Sequence, residues 1–372
     1  MITPFYVMEV LERAQELERA GEDVVHLEVG EPDFDTPEPI KEACLKALRE
    51  GKTHYTHSMG IPELREAIAE HYYKRYGVEI SPEQILITSG TSPAMLLVFS
   101  VLLSPGDEVI LPDPYYPCYP NFIRHVGGEP KTVRLREEEG FQYEISEVSR
   151  AIGPRTKAIV VNSPANPTGV VTTAERLTEI AGLPLWIVSD EIYHGLVYEG
   201  REHTMLEFTD RCFVLNGFSK LYAMTGWRLG YVIAPKEFIR PMQILAQNLF
   251  ISANAFVQWA GIAALRDTHR EVEAMRQEYD RRRVFMLREL RRLGFGVEVE
   301  PTGAFYILAK ADHLGKDSLK IAFDILERAK VGVTPGVDFG PGAEGYLRFS
   351  YTTSLERIAE GMRRLQAYLE GL

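Results

Sequence analysis

Three patterns of apolar and polar positions follow one another along the chain. The first 80 residues predict helices separated by loops. Residues 6 to 20 form a helical segment that ends at Gly21, and HLEVGEPDFDTPEPI then breaks into a loop dense in Pro and Asp. PEPIKEACLKALREG predicts a helix ending at Gly51. IPELREAIAEHYYKRYG predicts another, with Pro62 in its first turn and Gly77 past its last.

From about residue 84 the pattern becomes short unbroken apolar runs bounded by turn residues. QILITSG, DEVILPDP, PKTVRL, TKAIVVNSP, PLWIVSD, RCFVLNGF and RLGYVIA predict strands; SPAMLLVFSVLLS, YPNFIRHVGG and TTAERLTEIAG predict helices between them. Such runs mark a sheet buried on both faces, and strand–helix alternation marks an α/β layer architecture with a mostly parallel sheet. A helix-rich zone covers 236 to 292. After it, GVEVEP, GAFYILA and GYLRFSY predict strands that alternate with the helices SLKIAFDILERA and SLERIAEGMRRLQAYLE. This last pattern reads as a smaller α+β domain. The expected division is 1–30 as an N-terminal arm and helix joining the small domain, 31–280 as the large domain, and 281–372 as the small one.

Composition narrows the function without choosing it. The chain has 372 residues, enough for two domains, and 45% hydrophobic with 25% charged residues is ordinary for a soluble globular protein. A formal net charge of −12 argues against a nucleic-acid or anionic-membrane surface. Any anionic ligand must then be held by local positive groups. The three cysteines lie far apart with no CxxC pair, which argues against a disulfide framework or a zinc site. The apolar run AMLLVFSVLL is too short to span a bilayer, and the N-terminus is acidic and amphipathic, with no basic n-region. The cytoplasm is the expected location.

In open α/β sheets, ligands bind beyond the carboxyl ends of the strands, so the residues after each strand carry the candidate chemistry. TSGTSPAM places Ser89, Gly90 and Thr91 at the start of an apolar helix, as an N-cap or as an anion site. DPYYPCY supplies Tyr115, Tyr116 and Tyr119, either core aromatics or a platform for a planar ring. NSPANPTG presents Asn166 in a tight turn. SDEIYHG ends a buried strand on Asp190 with Tyr193 three residues on; such an acid must be paired, protonated or metal-bound, unless it is a helix cap. NGFSKLYAMTGWRLG carries Lys220 and Arg228, and Lys220 is either a solvated loop lysine or a reactive amine. LRFSY puts Arg348 on a strand, where its fork suits a carboxylate. Taken in order, these residues form one set: a phosphate loop, a stacking tyrosine, an Asn, an Asp–Tyr pair, a Lys and an Arg. The set matches what pyridoxal 5′-phosphate needs, with Lys220 as its Schiff-base lysine.

ANPTG, SDEIY, SK…TGWRLGY and PTGAFY together resemble the class I/II aminotransferases, the fold-type-I pyridoxal-phosphate enzymes related to aspartate aminotransferase. The similarity runs from LEVGEPDFDTP to YLRFSY and is nearest to the branch with aspartate, aromatic and kynurenine-type transaminases. The resemblance implies a large α/β domain with a mixed, mostly parallel seven-stranded sheet between helices, a smaller α+β domain, and a homodimer with shared active sites. It implies that Lys220 is the cofactor lysine, that Asp190 pairs with the ring nitrogen, and that Asn166 and Tyr193 bond the ring oxygen. Tyr116 would stack on the ring. Ser89, Gly90, Thr91 and Arg228 would hold the phosphate, joined by Tyr55 reaching into the partner's site. Arg348, with Asn166 and the Gly30 backbone, would clamp the substrate carboxylate. One position departs from many relatives: Gly217 stands where a Ser or Thr binds phosphate, which implies slightly weaker cofactor retention.

The implied reaction moves an amino group from an L-amino acid to a 2-oxo acid, with 2-oxoglutarate as the expected acceptor. A carbon–sulfur lyase acting on cysteine-like substrates would share the same Lys220, Asp190 and Arg228. A catalytically silent cofactor-binding regulator is the other class, set back by the full catalytic set and the lack of a DNA-binding extension. A nicotinamide-binding enzyme is excluded by the absence of GxGxxG after the first strands. Phe5, Tyr6 and the tyrosines near 115 either line an apolar or aromatic-tolerant substrate pocket or pack the core or the dimer interface. The preferred amino acid is not written in the sequence.

Overall fold

The computed structural model describes residues 2–371. Among the described residues, twelve strands occur in chain order: β1 (Val25–His26), β2 (Ile85–Thr88), β3 (Glu108–Asp113), β4 (Glu129–Arg134), β5 (Thr156–Asn162), β6 (Trp186–Asp190), β7 (Cys212–Gly217), β8 (Gly230–Ile233), β9 (Tyr306–Lys310), β10 (Val331–Gly332), β11 (Thr334–Pro335) and β12 (Tyr346–Ser350). Strands β2 to β8 form one seven-stranded sheet in the order β2-β8-β7-β6-β5-β3-β4. Only β8 runs antiparallel to its neighbours, β2 and β7. The seven apolar runs of the middle segment therefore all become strands of one sheet, and the fold is the expected α/β class.

Both faces of this sheet are covered, which explains why its strands are continuously apolar. Ile159 and Ile187 face one hydrophobic cluster, while Val160, Val188 and Phe213 face another. Each such side chain, removed fully from water, stabilises the fold by roughly 1.5–3 kcal/mol. Local signals set the helix ends. The helix Pro62–Tyr76 begins on Pro62 and stops at Gly77, whose φ of 73° needs a residue without Cβ strain. Ser354 caps the final helix, Leu355–Glu370, by accepting from the Arg357 N–H.

Three strands, in the order β11-β12-β9, form a separate antiparallel sheet, and β1 pairs in parallel with β10. The N-terminal segment thus joins the C-terminal elements through backbone hydrogen bonds. The helix His269–Arg292 is continuous, and the expected boundary at residue 280 falls inside it. GVEVEP does not form the expected strand. Gly296 makes a single bridge with Lys310, and then the Glu298 N–H donates to the Glu137 carboxylate (3.2 Å) instead of extending the ladder. Among the described residues, no helix is long and apolar enough to cross a membrane.

Candidate active site

A cavity of about 210 Å³ opens at the carboxyl ends of β5, β6 and β7, against β12. Eight of the expected site residues line it: Gly30, Thr91, Tyr116, Asn166, Asp190, Tyr193, Lys220 and Arg348. Their sequence separations are large, so the sheet order brings them together. Parallel pairing aligns the ends of β5 and β6, with Asn162 opposite Asp190.

Asp190 is buried at the end of β6. Its Oδ2 accepts from the Tyr119 hydroxyl at 2.6 Å and its Oδ1 from the Ile192 N–H at 3.2 Å. Burial pushes its pKa up to about 6, against those two hydrogen bonds and the positive charge of Lys220. It has no salt-bridge partner among the described residues. A buried carboxylate in that condition suits a cationic N–H on a ligand.

Lys220 follows β7, and its Nζ donates to the Gly30 carbonyl at 2.7 Å. Burial lowers its pKa to about 8, assisted by the charges of Arg348 and Arg228 and opposed by Glu31 and Asp190. The amine is therefore closer to neutrality than a solvated lysine, as a base or nucleophile requires.

Arg348 is buried in the middle of β12. Its Nη1 donates to Asn166 Oδ1 at 2.8 Å, and its Nη2 donates to Thr334 Oγ1 at 3.1 Å and to the Glu28 carbonyl. Its Nε–H has no partner, and no carboxylate pairs with it among the described residues. Three hydrogen bonds leave two of five donors unused. A buried, unpaired guanidinium with free N–H groups is built to receive an anion.

Close-packed glycines set the Gly90–Thr91 loop against β8 and β7 against β8. A Cβ on Gly230 would lie 2.7 Å from the Gly90 carbonyl carbon and 2.9 Å from the Thr91 nitrogen, and one on Gly217 would lie 3.0 Å from the Leu229 oxygen. Gly90 itself has φ 95°, and its Cβ would lie 2.5 Å from Arg228 Nη2. The Arg228 guanidinium therefore fills the space a side chain at 90 would take, beside the first turn of the helix Thr91–Leu102. Arg228 holds a left-handed φ of 56°, a backbone strain of roughly 1–3 kcal/mol of the kind concentrated at binding sites. Gly217 has a packing role: a hydroxyl-bearing side chain there would press on β8.

Four expected residues stand outside the cavity lining. Gly90 and Arg228 pack against each other and do not line it. Ser89 lines a smaller neighbouring space with Pro93 and Leu97. Tyr55 is 83% exposed and does not reach the cavity of its own chain. Three polar residues that line the cavity, Ser92, Asn162 and Tyr306, stand outside the expected set. Asn162 donates to the Asp190 carbonyl and accepts from the Asn166 N–H, tying two strand ends together; it closes a predicted strand, so the strand-end rule could have found it. Tyr306 sits at the amino end of β9, where that rule does not look, and its hydroxyl is 2.8 Å from the Tyr193 hydroxyl.

Residues 22–365 match the family "Aminotransferase class I and II". The chain is 44% identical to the (5-formylfuran-3-yl)methyl phosphate transaminase of Methanocaldococcus jannaschii, over 98% of this chain and 96% of that one. It is 43% identical to the aspartate aminotransferase of Pyrococcus horikoshii, over 98% and 94%. The solved structure of Thermus thermophilus aspartate aminotransferase with maleate superposes with a TM-score of 0.95, at 42% identity, covering 98% of this chain and 97% of that one. The chain belongs to the class I and II aminotransferases.

Aminotransferases of this family depend on pyridoxal phosphate and transfer amino groups. The residues of this aminotransferase fit the cofactor on structural grounds. The Gly90 cradle beside Arg228 suits a phosphate, the unpaired Asp190 suits a protonated ring nitrogen, and Lys220 is an amine of lowered pKa at the same cavity.

Proposed function

We propose that this aminotransferase takes the amino group of an L-amino acid and passes it to 2-oxoglutarate, in the cytoplasm, as a homodimer. The observation that carries the reading is Arg348: a buried cation with two unused N–H groups, on the wall of the cavity that also holds Lys220. An α-carboxylate accepted there places the α-carbon inside the same enclosure as the lysine.

Pyridoxal phosphate, when bound, supplies a reactive carbonyl and a ring that accepts the electrons left when the substrate Cα loses its proton. The Lys220 Nζ holds and moves that proton, which its lowered pKa allows near neutral pH. Asp190, oriented by Tyr119, keeps the ring nitrogen protonated. Asn166 Oδ1 accepts from Arg348, which leaves the Asn166 amide N–H₂ to donate to the ring oxygen alongside Tyr193. Tyr116 covers one ring face. Ser89, Gly90, Thr91 and Arg228 hold the phosphate, and Tyr55 reaches the phosphate of the other subunit. Residues 31–280 act as the cofactor domain, with 1–30 and 281–372 as the smaller domain that carries Arg348.

Pairing of two copies is supported by the exposed Ile244, Leu249, Phe250 and Ile251 on one helix and its end, and by the exposure of Tyr55. The relatives named above act on different amino-group partners, so substrate choice needs its own test. The experiment is the visible spectrum of the purified, cofactor-loaded protein with single L-amino acids and no oxo acid. Conversion from the yellow form to the aminated cofactor supports transfer, and the responding amino acids define the donors. An unchanged band, with pyruvate and ammonia released from cysteine-type compounds, would overturn it in favour of a lyase.

A further inference from the structure

We propose that Tyr306 is a positioning residue that works through Tyr193: its hydroxyl donates to the Tyr193 hydroxyl and links the Arg348 carboxylate fork to the oxygen on the cofactor ring. The inference rests on the reading of the Lys220 site given above.

Both tyrosines are almost fully buried, Tyr306 at 2% exposure and Tyr193 at 4%. Their hydroxyls lie 2.8 Å apart, and neither has another hydrogen bond among the described residues. A phenol carries one proton. If Tyr193 gives its proton to the ring oxygen, its own oxygen must accept, and only Tyr306 is placed to donate. The direction is then fixed: Tyr306 to Tyr193 to the ring.

The other end of this chain is Arg348. Its guanidinium carbon lies 4.3 Å from the centre of the Tyr306 ring. Phe305 packs edge-on at 5.0 Å, and the Tyr193 ring itself sits edge-on at 5.7 Å, so the Tyr306 ring is held from several sides. The backbone is shaped for it as well. A Cβ on Gly30 would lie 1.8 Å from the Tyr306 hydroxyl oxygen, so that position must be glycine for the hydroxyl to stand where it does. Gly30 also receives the Lys220 amine, so one backbone segment sets both groups.

Hydrogen bonds in series polarise one another. The Arg348 charge draws electron density from the Tyr306 ring and makes it the better donor. Burial pushes both phenols up in pKa, and Arg348 opposes that rise in each, so both stay protonated. A carboxylate bound on Arg348 cancels its charge. Donation then weakens along the chain, the ring oxygen becomes more basic, and the Lys220 nitrogen beside it holds its proton more tightly. Carboxylate binding is thereby coupled to proton affinity at the lysine. The ionisable groups facing Tyr306 are Asp190 at the end of β6 and Tyr193 after it, Lys220 after β7, Tyr116, Arg348 on β12, Tyr351 just past it, and Tyr279 from the helix His269–Arg292.

The test is a pH titration of the visible absorbance of the cofactor-loaded enzyme, which reads the proton on the Lys220 nitrogen without turnover. Wild type, Tyr306→Phe, Tyr193→Phe and the double variant are compared, with and without 3-phenylpropionate as a non-reacting carboxylate. Tyr306→Phe keeps the ring and removes only the hydroxyl. It is expected to raise the midpoint by about 0.3–0.7, a roughly two- to fivefold gain in proton affinity. Tyr193→Phe raises it further, and the double variant matches Tyr193→Phe alone. The carboxylate raises the wild-type midpoint, and that rise shrinks in Tyr193→Phe, a comparison that needs no folded Tyr306 variant. An unchanged midpoint in Tyr306→Phe, additive shifts in the double variant, or a carboxylate response independent of Tyr193 each overturn the relay while leaving the aminotransferase reading in place. A wild type that takes up pyridoxal phosphate without any visible, titrating band overturns the reading of Lys220, and the relay falls with it.

Discussion

Replacing Arg348 with lysine separates the charge of this residue from its geometry. The guanidinium lies buried with three hydrogen bonds to Asn166, Thr334 and the Glu28 carbonyl, and two N–H groups remain for a ligand. Lysine keeps a positive charge but loses the planar fork. Hydrogen bonds to charged groups are each worth about 1.5–3 kcal/mol. Losing two while keeping a point charge that recovers part of the attraction costs about 3–4 kcal/mol in transition-state binding. At about 1.4 kcal/mol per tenfold, kcat/KM should fall by roughly two to three orders of magnitude. The assay is the rate at which the cofactor-loaded enzyme converts with L-phenylalanine, compared with phenethylamine, the same molecule without its carboxylate. The amino acid should lose the full factor, and the amine should change less than about threefold. An equal loss for both compounds would show that the substitution damages the site in general, and a loss under tenfold for the amino acid would refute Arg348 as the carboxylate fork.

Asp190→Asn removes the charge that stabilises a protonated ring nitrogen, so it should lower kcat at least about a hundredfold, more than Tyr193→Phe does; the opposite order in stopped-flow rates would refute the assigned roles. Gly90→Ala forces a Cβ to within 2.5 Å of Arg228 Nη2 at a φ of 95°, and should weaken cofactor affinity about tenfold or more in a fluorescence titration. Gly217→Ser should fail to improve cofactor affinity and should lower Tm, because its Cβ meets the Leu229 oxygen at 3.0 Å. His26 bonds to the buried Glu28 carboxylate at 2.6 Å, which raises its pKa to about 9. Its folded-state pKa exceeds its unfolded value, so this pair stabilises fully below about pH 6.5 and loses its effect as pH rises through about 9. Because His26 is about a third exposed, the effect is modest; chemical denaturation at pH 6 and 9 should show a smaller difference in His26→Gln than in wild type.

Much of this protein is legible in one dimension. Burial on both faces makes a strand continuously apolar, and that property is local, so all seven strands of the main sheet could be read from runs such as KAIVVN and LWIVSD. The rule that ligands meet the carboxyl ends of such strands then points to Asn166, Asp190 and Lys220 from the sequence alone. What the chain order could not disclose are relations between distant segments. GVEVEP alternates like a strand, yet Glu137, about 160 residues earlier, takes its backbone N–H. Gly217 reads as a missing hydroxyl, while in space it is where β7 closes on Leu229 and the start of β8. Tyr306 lies at the wrong end of a strand for the carboxyl-end rule, and the three-stranded sheet turns it onto Tyr193 and Arg348. Residue types and their order determine which chemistry the chain can perform. Whether a charge is buried without a partner, as at Asp190 and Arg348, depends on everything packed around it, so tertiary structure alone decides which of those groups are left free to hold a ligand.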